Sequence, residues 1–180
     1  MKEAKRLKDF TSYKMAYQEM QEESGLLYIH LNKTDKLLNQ KTLIVDKIGI
    51  AHTLDLDKME FMVQKKATLF YQTLERWLAA GEREKVKQGV EQLLELFSKR
   101  RALKIYDKDP DLKSNFGFIG DRPIQFDMGR FKRGESNPKK NESFQDEMIR
   151  LTDELKVWLK KRDPALAKEL EEKVLACSEK

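Results

Sequence analysis

Three observations on the sequence predict an α+β fold that is mainly helical. Long stretches repeat apolar residues at three- and four-residue steps, the period of a helix with one buried face. Between them lie short β-branched and aromatic runs bounded by glycine, asparagine or aspartate, as strands and turns require. The composition agrees: of 180 residues 39% are hydrophobic and 37% charged, with four prolines and eight glycines, the balance of a folded, charge-coated chain. Such a length suits one domain, 1–180, with its own core.

The first helix is expected from Lys2 to about Ser24, with Leu7, Phe10, Tyr13, Tyr17 and Met20 as its buried stripe and Gly25 ending it. Leu26 to Asn32 is short, apolar and partly β-branched, so it reads as a strand. Thr42 to Asp46 reads as a second strand, antiparallel to the first. Asp55 to Ala80 then reads as a helix with Met59, Met62, Phe70, Leu74 and Trp77 on one side, broken by Gly81. A third helix follows from Glu82 to about Leu103, turning Val86, Val90, Leu93 and Phe97 inward. Two helices close the chain. One carries Phe144, Met148, Leu151, Leu155 and Trp158; the other opens at Asp163-Pro164, an N-cap before a first-turn proline, and buries Leu166, Leu170 and Val174.

The net charge of +5 and the pI near 9.1 arise from 36 basic against 31 acidic residues. The two signs are mixed almost everywhere, so a solvated, salt-laced surface is the better reading and nucleic acid ranks last among partners. The exception is Arg130 to Arg133 with Lys139 and Lys140, expected as a mobile basic loop. The lone Cys177 excludes an internal disulfide and a cysteine-built zinc site. With no apolar segment after the basic start, it suggests a reducing, cytoplasmic location. No apolar run approaches the length needed to cross a bilayer, and no membrane partner is expected. His30 in an apolar strand and His52 in a connection have no third ligand at metal-site spacing, which leaves one as a packed residue and the other on the surface.

The stretch that carries chemistry runs from about Ile105 to Phe131. Phe116 to Ile119 and Ile124 to Asp127 are apolar segments separated by Gly-Asp-Arg-Pro, which predicts a hairpin. Asn115 at its start and Asp127 at its end then lie roughly opposite one another, about 4.8 Å apart across neighbouring strands. An amide oxygen and a carboxylate, completed by water and phosphate oxygens, suit magnesium. Gly129 lets the chain turn away sharply.

The order acidic loop, Asn115, short hairpin, Asp127-Met128-Gly129 resembles the catalytic loop and Asp-Phe-Gly segment of the protein-kinase-like fold, with Met128 in place of the phenylalanine. The preceding order of a long helix, two antiparallel strands, a connection and two helices resembles that fold as well. The resemblance implies a kinase-like C-lobe over 55–180, with a reduced N-lobe over 1–50 made of one helix and a strand pair. It implies Mg2+ and ATP as cofactors, Asn115 and Asp127 as metal and nucleotide ligands, and Asp109 as the base, with Asp107 and Asp111 as alternates. Phosphoryl transfer from ATP to a hydroxyl is the activity implied, in a protein that is either active or a truncated or silent relative with a remnant site.

The departures are specific. Five positions before Asn115 stands Pro110, no His-Arg-Asp precedes it, and no glycine-rich phosphate loop occurs in the chain. Glu19, Glu22 and Glu23 on the first helix have no lysine of that family to pair with. The other reading is a non-enzymatic helical adaptor, and both readings leave room for a protein partner that covers or completes the N-terminal helix face.

Overall fold

In the computed structural model, which describes residues 2–134 and 143–176, the N-terminal stripe folds as α1 (Lys2–Glu19), interrupted at Met20 and followed by one turn, α2 (Gln21–Ser24). Gly25 closes that turn in the left-handed region at φ +65°, a conformation glycine adopts without a β-carbon penalty. The buried face is Ser12, Met15, Ala16 and Met20, with Tyr13 and Tyr17 half-buried and Leu7 exposed. The helix is rotated from the expected stripe. Ser12 Oγ donates to the carbonyl of Phe131 at 2.9 Å.

The first strand, β1 (Leu26–His30), pairs antiparallel with a different segment from the one expected. The run from Thr42 falls in β2 (Lys41–Val45), which pairs with β3 (Ala51–Asp55) across a short turn. Such a local pairing has a low loop-closure cost. The partner of β1 is β4 (Phe61–Gln64), inside the stretch expected to be helix. Asp55 ends β3 and accepts the Asp57 amide at 3.1 Å, capping a 3-10 turn at Leu56–Lys58. Of that stretch α3 (Phe70–Ala79) alone is α-helical. Met59 and Met62 match a helical step, but Gln64-Lys65-Lys66 interrupts the stripe, and Phe61-Met62-Val63 packs as a strand.

The rest follows the expected order. α4 (Arg83–Ala102) buries Val86, Val90, Leu93 and Phe97. β5 (Thr68–Leu69), β7 (Phe116–Ile119) and β8 (Arg122–Gln125) form one sheet with β7 central, while β6 (Ile105–Asp107) pairs with β9 (Phe131–Arg133). Phe131 to Arg133, expected in a basic loop, is therefore strand; residues 135–142 and Cys177 lie outside the described residues. α5 (Phe144–Lys160) and α6 (Pro164–Ala176) pack on one another, burying Met148, Leu151 and Leu155 against Leu166, Leu170 and Val174. Asp163 caps α6 as expected, accepting the Leu166 amide at 2.9 Å.

One hydrophobic core joins these parts, with Met20, Phe70, Trp77, Val90, Phe97, Phe116 and Phe131 all buried in it. The chain is thus an α+β protein of helices and small antiparallel sheets. Among the described residues no helix is long and apolar enough to cross a membrane.

Candidate functional site

Three segments meet at the site: the 107–115 loop, the 125–130 segment and the middle of α1. The first two are held at both ends. Asp107 pairs with Phe131 between β6 and β9, and Phe116 pairs with Gln125 between β7 and β8. The hairpin turns on two residues, Gly120 at φ +62° and Asp121, and Ile119 pairs with Arg122. A two-residue turn with glycine first fixes the register. Arg122 and Pro123 are consequently strand, and Phe126 N–H donates to Asn115 O at 2.9 Å. Asn115 faces Phe126, one residue short of the partner expected, and Asp127 lies at the next position.

Asn115 is buried, its Nδ2 donating to Asp109 O at 2.7 Å while its Oδ1 lies 2.9 Å from Ser114 Oγ, whose one proton it shares with the Asp111 carboxylate. An amide oxygen has two lone pairs, so one stays available. Asp127 is exposed; its Oδ1 accepts the Gly129 amide at 3.1 Å, and its Oδ2 has no hydrogen bond among the described residues. Gly129 is outside the left-handed region. A β-carbon there would sit 3.4 Å from Asp127 Oδ1 and 3.7 Å from Tyr13 Oη, an ordinary contact, so the sharp turn does not depend on glycine. Tyr13 stands over this turn, and burial first, then the Asp127 and Asp9 charges, raise its pKa above the usual tyrosine value.

The three candidate bases have different fates. Asp107 is buried and accepts from the Asp109 amide and from Gln125 Nε2. Asp111 accepts from Ser114 Oγ at 2.6 Å and from the Lys113 amide, bonds that hold its carboxyl below the usual range. Asp109 has a side chain 52% exposed, tied among the described residues at one edge by Arg130 at 3.2 Å.

Beneath the two loops runs a buried polar relay. Arg100 Nη1 donates to Gln125 Oε1 at 2.9 Å, and Gln125 Nε2 reaches both Asp107 and the carbonyl of Asp127. Burial pushes the Asp107 carboxyl up, opposed by the Arg100 charge and by the hydrogen bonds from Asp109 N–H and Gln125. The same burial pushes the Arg100 guanidinium down from its usual value. Removing such charges from water costs several kcal/mol each unless they are paired, which is why a bridging amide sits between them. Gln64 on β4 adds a tie from the other side, donating to Ser24 O at 2.7 Å and to Phe126 O at 3.1 Å.

Tyr13, Arg100, Ser114 and Gln125 were not legible as site residues in the sequence. Gln125 carried one signal, a lone amide inside the run Pro123-Ile124-Gln125-Phe126. The helix glutamates have local partners: Glu19 pairs with Arg133, Glu22 with Arg122 at 3.1 Å, and Glu23 with Lys99 at 2.6 Å. A cleft of about 580 Å3 lies by these last pairs, lined by Glu23, Lys99, Asp121 and Arg122. Neither Asn115 nor Asp127 lines it.

Among the described residues no group of three or more histidine, cysteine, aspartate or glutamate side chains could hold a metal ion. A cation at Asp127 would rest on that one carboxylate and non-protein oxygens; the Asn115 amide oxygen is the second donor that the sequence offered, the kind of oxygen set magnesium accepts. No family model matches the chain, and no curated protein or solved structure matches it either.

Proposed function

We propose that the chain is a kinase-like protein whose Asn115 and Asp127 form a magnesium–nucleotide site. The observation that supports this reading is the β7–β8 register, which sets the Asn115 backbone opposite Phe126, one residue from Asp127, at the open end of the hairpin. Magnesium bound there would neutralise phosphate charge. The element order supports the kinase-like reading: α1, the antiparallel pair β1–β4 with the β2–β3 hairpin between its strands, then α3 and α4, then loop and hairpin.

The chain's own residues divide the remaining tasks. Asp127 offers an unspent oxygen, and Asn115 holds the Asp109 backbone while keeping one lone pair for a ligand. Asp109, the most accessible of the three aspartates, orients an attacking hydroxyl and takes its proton. Gln125 fixes the two loops relative to each other from below. If the site does not turn over, the same geometry still binds nucleotide, as a silent relative would.

A thermal-melt titration with ATP, with and without magnesium, tests the reading, because a ligand bound only by the folded chain raises the melting temperature. The expected result is a magnesium-dependent rise that Asn115→Ala and Asp127→Ala both lose. No rise at millimolar ATP, with both variants melting like the parent, sinks it in favour of the adaptor reading. The exposed Leu7 on α1 and the exposed Met62 and Val63 on β4 favour that second reading as partner contacts.

A further inference from the structure

The excursion between β1 and β4 presents apolar side chains to solvent on every side. Ile48 is 80% and Leu43 63% exposed, and Leu37, Ile44, Val45 and Ile50 are exposed as well. β2 and β3 pair only with each other among the described residues, and an isolated two-stranded hairpin is marginal in water. Leu43 and Val45 alternate with Ile44 along β2, so both faces are apolar. The turn adds Ile48 and Ile50. A folded partner that covers one face leaves the other face and the turn wet; a fluid apolar layer contacts all three.

The turn is also ready to leave water. Ile48 and Ile50 amides both donate to Asp46 Oδ1, at 2.9 and 3.0 Å, and Gly49 N–H donates to Asp46 O at 3.1 Å. The Ile48, Gly49 and Ile50 donors are thus satisfied locally, as apolar surroundings require. Asp46 itself is further paired with His52 at 3.0 Å.

Charge selects the kind of surface. The five carboxylates of 31–60 equal its five lysines in number, but its four aspartates have local partners: Asp35 has Lys58, Asp46 has His52 and the turn amides, Asp55 has the Asp57 amide, and Asp57 has Thr34 and three backbone amides. Lys33, Lys36, Lys41 and Lys47 are exposed and have no carboxylate partner among the described residues. Free cations around an apolar projection match anionic headgroups over acyl chains. We propose that the β2–β3 hairpin is a shallow anchor to an anionic lipid surface, its turn entering the interface and its lysines meeting the headgroups. The expectation of no membrane partner rested on the lack of a spanning run, and this contact needs none.

Flotation of the full chain with vesicles tests the anchor, using phosphatidylcholine alone against phosphatidylcholine mixed with phosphatidylserine. Binding is expected to the mixed vesicles, weakening as salt rises. The double variant Ile48→Asp and Ile50→Asp should abolish it while melting like the parent. Each of Lys36→Gln and Lys41→Gln should weaken it by about fivefold. Three outcomes overturn the proposal: no binding to anionic vesicles, equal binding to both vesicle types, or a concentration-dependent dimer in sedimentation that the Ile48→Asp and Ile50→Asp variant disperses. The last would assign the hairpin to a second copy of the chain.

Discussion

Asp57 shows how one carboxylate can order a loop. It is buried, and its oxygens accept from Thr34 Oγ1 and from the amides of Leu37, Leu38 and Asn39, at 3.1, 3.0 and 2.8 Å for the amides. These bonds lower its pKa to about 2 from an unfolded value of about 3.9. A depressed carboxyl contributes stability that is whole above its unfolded pKa and is lost as pH falls through the folded one. Hydrogen exchange of the Leu37, Leu38 and Asn39 amides should therefore stay protected at neutral pH and lose protection between about pH 4 and pH 2. Asp57→Asn should lose that protection at neutral pH; full protection in the variant would show that something else holds the loop. The same scale separates the three acidic-loop candidates. The sequence offered Asp109 with Asp107 and Asp111 as alternates, because spacing does not reveal which carboxyl a buried amide such as Gln125 will consume.

At the scale of elements, periodicity read well where a stripe was long and uninterrupted. α4, α5 and α6 lie close to their expected places, with the inward residues named for α4 and α6 all buried. It failed where pairing is non-local. Nothing in Leu26–His30 says that its partner is Phe61–Gln64 rather than the nearer apolar run at Lys41–Val45. The central strand β7 was legible, but not the closeness of its neighbour β5. A β-carbon on Gly117 would meet Thr68 O at 2.4 Å, and that oxygen is backbone, which yields only by parting the strands. Gly117→Ala should lower stability by about 1–3 kcal/mol, read by chemical denaturation. A variant as stable as the parent would mean that β5 can be displaced freely.

For the whole molecule, the α+β class was visible in the sequence, which also named Asn115, Asp109 and Asp127 as candidates, while the chain's largest departure from expectation was not visible. The registers of two sheets fix where Asn115, Asp109 and Asp127 stand, and these depend on a turn and a pairing that short motifs do not encode. His30 and Phe61 are the ends of the pairing that frames the excursion, directly opposite one another on β1 and β4, with rings 5.2 Å apart. The chain leaves the body at one of them and returns at the other. Residues 31–60 are therefore a module in the topological sense, spliced in at a point where its two ends already touch. Replacing them by a short glycine turn should leave a protein that melts cooperatively and keeps its response to magnesium and ATP. Collapse of the fold on excision would instead make the module part of the body's own architecture, and the body and its accessory would have to be regarded as one inheritance.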